Sequence, residues 1–173
     1  MRITGLETLV FGVDDVAGAA RYLTDYGLTP VHESASGGRY EALDGTAIVI
    51  AHTSDAGLAA PPMPGCKLRK TVMGVPDAAA LDDIAAELSR DREVKRRPNG
   101  SIESVDDSGF ALGFQISQKR AFTLSGEIAN APGGVVFRPV NHLGSIAPDA
   151  PIRPRSLSHV VYFVPDVLKA EAF

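Results

Sequence analysis

The sequence predicts a mixed α+β fold of paired βαβββ modules whose strands form one cup-shaped mixed sheet. Three observations predict it. A short apolar run closing on Asp occurs three times, as ETLVFGVD at 7–14, KTVMGVPD at 70–77 and HVVYFVPD at 159–166, at offsets of 63 and 152 from the first. After the first two runs the hydrophobic period changes from that of a strand to that of a helix and back again. Finally, GRYEALDGTAIVI and GSIESVDDSGFALGF share one order of residues, with Gly38, Glu41, Asp44 and Gly45 against Gly100, Glu103, Asp106 and Gly109.

In the first copy the strand runs into Asp14-Asp15, a helix cap because a carboxylate accepts an orphan amide hydrogen and faces the positive helix end. Val16, Ala19, Ala20 and Leu23 then recur at helical spacing, and Gly27 sits where a terminating glycine belongs. Strands are expected over 28–33, 38–43 and 46–52. The linker AGLAAPPMPGCK follows, and the second copy repeats the order: a strand, a helix behind Asp77 carrying Leu81, Ile84, Ala85 and Leu88, and strands near 93–97, 101–105 and 110–117. Residues 1–117 therefore read as one paired-module domain, with 118–155, rich in Pro and Gly, as a connector crossing a surface. The charge changes there too: 1–117 carries 11 basic and 17 acidic residues, and 118–173 carries 6 and 4. The third copy opens at Ser156 and reaches Phe173 inside its first helix, so 156–173 reads as the start of a second, truncated domain. Its apolar strand, lacking the rest of a sheet, is expected to pair with another chain and give a homo-oligomer.

Composition narrows the function classes. The 173 residues are 45% hydrophobic with 17 basic against 21 acidic side chains, a net charge of −4, which argues against nucleic-acid and polybasic membrane partners. No stretch approaches the ~18 apolar residues of a membrane span, and a cytoplasmic protein is expected. Cys66 is the single cysteine, so no internal disulfide or zinc knuckle can form. There is no G-x-S-x-G elbow and no G-x-x-x-x-G-K-[ST] loop. The run RDREVKRR, Arg90 to Arg97, reads as the solvated end of the second helix and the strand after it, not as a phosphate site, and His32 and His52 as strand-end histidines at or near the surface.

The repeated strand closing on Val-x-Asp or Val-Pro-Asp, with the helix RYLTDYGL, resembles the vicinal oxygen chelate superfamily of glyoxalases, fosfomycin and bleomycin resistance proteins and extradiol dioxygenases. Metal-binding members place ligands on the first and last strands of their modules. The resemblance puts those positions at Glu7 and Lys70 on the first strands and Val49 and Gly113 on the last, four residues past the turn glycines. Only Glu7 among them suits a metal, so residues 1–117 are expected to be metal-free, with Glu7 facing solvent or paired with Lys70. The matching position of the third copy is His159, which the resemblance makes the first ligand of Fe(II) or Mn(II), its other ligands lying outside this sequence. His142, in the connector, is a candidate contact for the substrate. The implied function is that of the N-terminal part of a two-domain metalloenzyme, most like an extradiol dioxygenase of catechol-type substrates. The alternatives are a metal-free module binding a small aromatic or hydrophobic molecule, and a metal-dependent isomerase or lyase.

Overall fold

A computed structural model describes residues 2–123 and 153–173. The first module contains β1 (Gly5–Val13), α1 (Val16–Asp25), β2 (Thr29–Ser34), β3 (Gly37–Glu41) and β4 (Ala47–His52); the second contains β5 (Leu68–Val75), α2 (Ala78–Leu88), β6 (Lys95–Arg96), β7 (Ile102–Val105) and β8 (Ala111–Ile116). The strands join in one mixed sheet of order β2-β3-β4-β1-β5-β8-β7-β6. Each module's first strand runs parallel to its last, and β1 and β5 meet antiparallel at the centre. The two halves of the sheet are therefore related by a pseudo-twofold axis between β1 and β5.

Local chemistry accounts for the elements. Asp15 Oδ1 accepts from Gly18 N at 2.8 Å and Asp77 Oδ1 from Ala80 N at 2.8 Å, so both helices begin on a carboxylate cap. The first helix ends as its glycine predicts: Gly27 has φ +97°, Leu28 N donates to Leu23 O and Gly27 N to Thr24 O. These paired bonds satisfy the last carbonyls, and Leu28 is buried in the same cluster as Leu23.

Both helices cover the same face of the sheet. Leu23, Leu28, Tyr40, Ala42 and Ile50 form the core under α1, and Val75, Leu81, Ile84, Ile102, Leu112 and Phe114 the core under α2. A third cluster, around Leu6, Leu9, Leu68 and Phe110, shares Phe11 with the former and Met73 with the latter, and so lies between them. Leu157, Val160, Tyr162 and Val164 close over it. The Tyr162 ring packs 4.6 Å from Phe110 and its hydroxyl donates to Thr71.

Residues 156–164 thus differ from the expected strand. They cover apolar surface but join no ladder among the described residues. Their alternate residues Val161 and Phe163 are exposed. The expected helix does follow, as α3 (Val167–Ala172) capped by Asp166, whose Oδ1 accepts from Lys169 N at 3.0 Å. Most of the connector, His142 included, lies outside the described residues. Its opening is bound to the first module: Gln118 N donates to Glu7, Arg120 N to Asp44 O and Lys119 Nζ to Thr4 O.

Candidate functional site

The β1–β5 register decides which residues are equivalent. Leu6 faces Met73 and Thr8 faces Val72, leaving Glu7 unmatched in a bulge; Val10 faces Lys70 and Phe11 faces Leu68, leaving Arg69 unmatched in a second. Adding 62 to each β1 number turns this set into itself: Thr8–Val72 becomes Lys70–Val10, Leu6–Met73 becomes Leu68–Phe11, and Leu9–Thr71 is unchanged. The structural offset is 62, not the 63 read from the sequence. The discrepancy arises at Asp14-Asp15, where the cap is the second Asp; Asp14 instead accepts from Thr53 Oγ1 at 2.7 Å and Lys67 Nζ at 2.5 Å.

This register corrects one expected position. The counterpart of Lys70 is Thr8, and the counterpart of Glu7 is Arg69. Glu7 neither faces solvent nor pairs with Lys70. It is 4% exposed, with Oε1 accepting from Ser117 Oγ at 2.7 Å and Oε2 from Gln118 N at 3.2 Å. The bulge turns it toward Gly74, which has no side chain to occupy that space. Val49 and Gly113 do correspond, since β4 pairs with β1 and β8 with β5 so that Val10 faces Val49 and Val72 faces Gly113.

On the face away from the helices, each module holds one half-buried glutamate between two cations. In the first, Glu41 accepts from Arg39 Nε at 2.9 Å and Arg120 Nη2 at 2.7 Å. In the second, Glu103 accepts from Lys70 Nζ at 2.7 Å on one oxygen and Arg97 Nε at 2.7 Å on the other. The two glutamates are not register equivalents. Arg39 stands on β3 opposite Val49 and also donates to Thr8 Oγ1, whereas in the second module Glu103 itself stands at that position, opposite Gly113, and receives its cation from Lys70 on β5. Lys70 is thus the built-in counter-ion of Glu103, which accounts for an ammonium at a position where the resemblance expects a ligand.

Burial pushes both carboxyls up, but in each case the hydrogen bonds and charges of the two flanking cations outweigh it and hold the carboxyl below the usual range. A carboxyl lowered on folding contributes stability that is present above its unfolded value, 4.5 for Glu, and is lost as pH falls through the lower native value. Stability is therefore expected to fall below about pH 4.5. In chemical unfolding at stepped acid pH, the double variant E41Q/E103Q should show a shallower decline than the parent; an unchanged decline would remove these two groups from the acid transition.

Lys70, Arg97 and Glu103 separate two hollows. The larger, about 590 Å³, adds Leu58, Arg92, Lys95, Val105 and Ala111; the smaller, about 380 Å³, adds Val72, Gly113 and Gln115. The run read as the solvated helix end and following strand includes the exposed β6 residues Lys95 and Arg96, but its basic residues also face a hollow. Arg92 is held by Asp91 at 2.7 Å and Asp107 at 3.0 Å, and Arg92, Lys95 and Arg97 line the larger hollow. Glu41, Glu103, Arg97 and Arg69 were missed by motif reading. The shared Gly-x-x-Glu of GRYE and GSIE marked both glutamates, although the pairing of Glu41 with Ala47 and of Glu103 with Gly113 sets them two residues apart in register.

The remaining histidines are dispersed. His159 is exposed with Nδ1 2.9 Å from Ser158 Oγ, His52 Nδ1 lies 2.6 Å from Ser54 Oγ, and His32 stands exposed on β2.

No protein-family model matches the sequence, and no curated protein does. Solved structures do. Homoprotocatechuate 2,3-dioxygenase from Brevibacterium fuscum aligns with a TM-score of 0.55 at 16% identity over 69% of this chain and 34% of its own. The Mn(II)-bound glyoxalase from Novosphingobium aromaticivorans aligns at 0.50 and 15% identity over 65% and 38%. A catechol 2,3-dioxygenase aligns at 0.50 and 18% identity over 66% and 41%. The fold is that of the vicinal oxygen chelate proteins. The chain spans between about a third and two fifths of the length of these structures.

Within the vicinal oxygen chelate fold, the equivalent first- and last-strand positions are Thr8, Val49, Lys70 and Gly113. They do not fit Fe(II) or Mn(II), which favour imidazole and carboxylate donors. An alkyl group, a hydrogen atom and a paired ammonium offer no lone pair, and the Thr8 hydroxyl accepts from Arg39. His159 is a suitable donor, but among the described residues no three His, Cys, Asp or Glu side chains are grouped to hold an ion. No helix among them is long and apolar enough to cross a membrane.

Proposed function

We propose that the chain is the N-terminal part of a two-domain protein of the glyoxalase and dioxygenase type, most like an extradiol dioxygenase, with residues 1–117 as its metal-free domain. One observation carries this reading. The helix-capping aspartates are Asp15, Asp77 and Asp166, and seven residues before them stand Thr8, Lys70 and His159. The third module thus has a soft-enough nitrogen donor where the first two have a hydroxyl and an ammonium. His159 is the first metal ligand of the second domain in this reading, and Fe(II) or Mn(II) would supply the Lewis acidity for a substrate chelating through adjacent oxygens.

The expected result for residues 1–173 is no stoichiometric iron or manganese by elemental analysis and no oxygen uptake with catechol. In the protein at its natural length, H159A is expected to lower metal occupancy at least tenfold while T8A leaves it unchanged. Iron-dependent ring cleavage by residues 1–173, or full metal occupancy in H159A, would sink the proposal.

A second reading is favoured by the charged hollow on β5, β7 and β8: the first domain binds a small molecule without transforming it. The two readings are compatible, since they concern different domains.

A further inference from the structure

We propose that the face of the second module away from its helix binds a phosphate monoester with a small apolar body, its phosphate among Lys70, Lys95 and Arg97 and its body in the larger hollow against Leu58, Val105 and Ala111. This rests on the second reading above and deepens it by naming the ligand class.

The ladder pairings bring the cations to one face, since cross-strand neighbours share a side of the sheet and successive residues alternate. Ile102 and Phe114 pack under α2, so Glu103 and Gly113, paired with each other, face away from it. Lys95 pairs with Glu103 and Val72 with Gly113, which makes one row of Lys95, Glu103, Gly113 and Val72 across four strands. The next row is Lys70, Ala111 and Val105. Arg97 reaches Glu103 from beyond the end of β6. In the first module the matching row is His32, Arg39, Val49 and Val10. There a valine fills the floor that Gly113 leaves open, and Arg39 is fully committed, to Glu41, Thr8 and Gly45 O.

The donors left over select the ligand. Lys70 has three and makes one bond, to Glu103. Arg97 gives Nε and Nη2 to Glu103 Oε2, and its Nη1 has no partner among the described residues. Lys95 makes no hydrogen bond among them; it approaches Glu93 at 3.4 Å, both side chains being exposed, and such a pair is weak. Three cations thus surround one carboxylate, a local excess of two positive charges. A planar carboxylate would match a guanidinium fork, but Glu103 already occupies that edge of Arg97. What remains is dispersed single donors. They suit a tetrahedral group that accepts from several directions, and a phosphate monoester carries about −1.5 to −2 charge on three strong acceptor oxygens. The run Arg90 to Arg97 does not supply this set alone; Lys70 on β5 completes it. All three cations line the larger hollow, whose volume of about 590 Å³ falls within the range of small-molecule sites.

The test is a titration of residues 1–173, followed by amide NMR shifts, with phenyl phosphate, benzenesulfonate and phenol. The first two carry tetrahedral oxyanions of different charge on the same ring, and the third is neutral. Phenyl phosphate is expected to bind with Kd on the order of millimolar for so small a ligand, and about fivefold or more tighter than benzenesulfonate, the effect of the further charge. Shifts should centre on Lys70, Lys95, Arg97 and Gly113. K95M and K70M should each abolish the preference, while R21M, on α1 of the other module, leaves it unchanged. K95M is decisive should K70M unfold, since the Lys95 side chain is 58% exposed and its loss orphans no hydrogen-bond acceptor. Equal binding of the two anions, a preference that survives in K95M, or one lost equally in R21M would overturn the phosphate assignment while leaving a binding module. No binding of any of the three compounds would overturn both.

Discussion

Replacing Ile102 with Ala is expected to lower the unfolding free energy by about 2–5 kcal/mol, the usual range for truncating a fully buried isoleucine. Ile102 has no exposed surface and packs with Val75, Ile84 and Phe114 beneath α2. Its backbone is fixed from one side by the pairing of Ile102 with Phe114 and Val105 with Ala111, and from the other by Arg96. The cavity therefore cannot close by a shift of β7 alone, which places the cost toward the upper part of the range. The measurement is the denaturant midpoint at unchanged slope. Val105, on the same strand but 49% exposed, supplies the control: V105A should change stability by no more than about 0.5 kcal/mol. Similar effects at the two positions would mean that β7 is inserted one residue out of register. The same alternation sends Glu103 to the face away from the helices, so this experiment also checks the placement of the charged hollow.

The second large effect concerns Glu103. E103L is expected to cost about 1–3 kcal/mol, less than the 3–5 typical of breaking a fully buried pair because water screens part of the loss. Its partners remain partly accessible, with the Lys70 side chain 30% and that of Arg97 50% exposed. Most of the cost is the penalty of leaving the Lys70 ammonium in the sheet without its counter-ion. Adding K70M should therefore recover much of the stability, so that E103L/K70M unfolds at a higher denaturant concentration than E103L. Strict additivity in this double-mutant cycle would show that the pair contributes nothing beyond two separate solvated charges.

Much of the fold was legible because it depends on short-range chemistry that sequence displays directly. Asp15, Asp77 and Asp166 cap helices since a carboxylate finds an orphan amide three residues on, and Gly27 ends α1 since its φ is positive. In β8 the large residues Leu112 and Phe114 alternate with Ala111 and Gly113 and report which side of the sheet is covered. Less of the site was legible. Glu7 looked like the equivalent of Lys70 because two aspartates stand together at 14 and 15, and either satisfies the pattern. Gly12 with Gly74, Val10 with Val72 and Val13 with Val75 all favour the offset of 62, but that alignment matters only once the strands are seen to pair.

The sequence by itself determined the repeated βαβββ modules, their boundaries to within a residue or two and the class of fold, because periodicity, caps and turns are local properties of the chain. Only the tertiary structure decided that Thr8 rather than Glu7 matches Lys70, that Glu41 and Glu103 each sit between two cations, and that 156–164 lies over the helix-side core without joining the sheet. Those facts depend on bulges, on register and on contacts between residues as far apart as Thr71 and Tyr162. A one-residue slip in any of them reverses which face a side chain occupies.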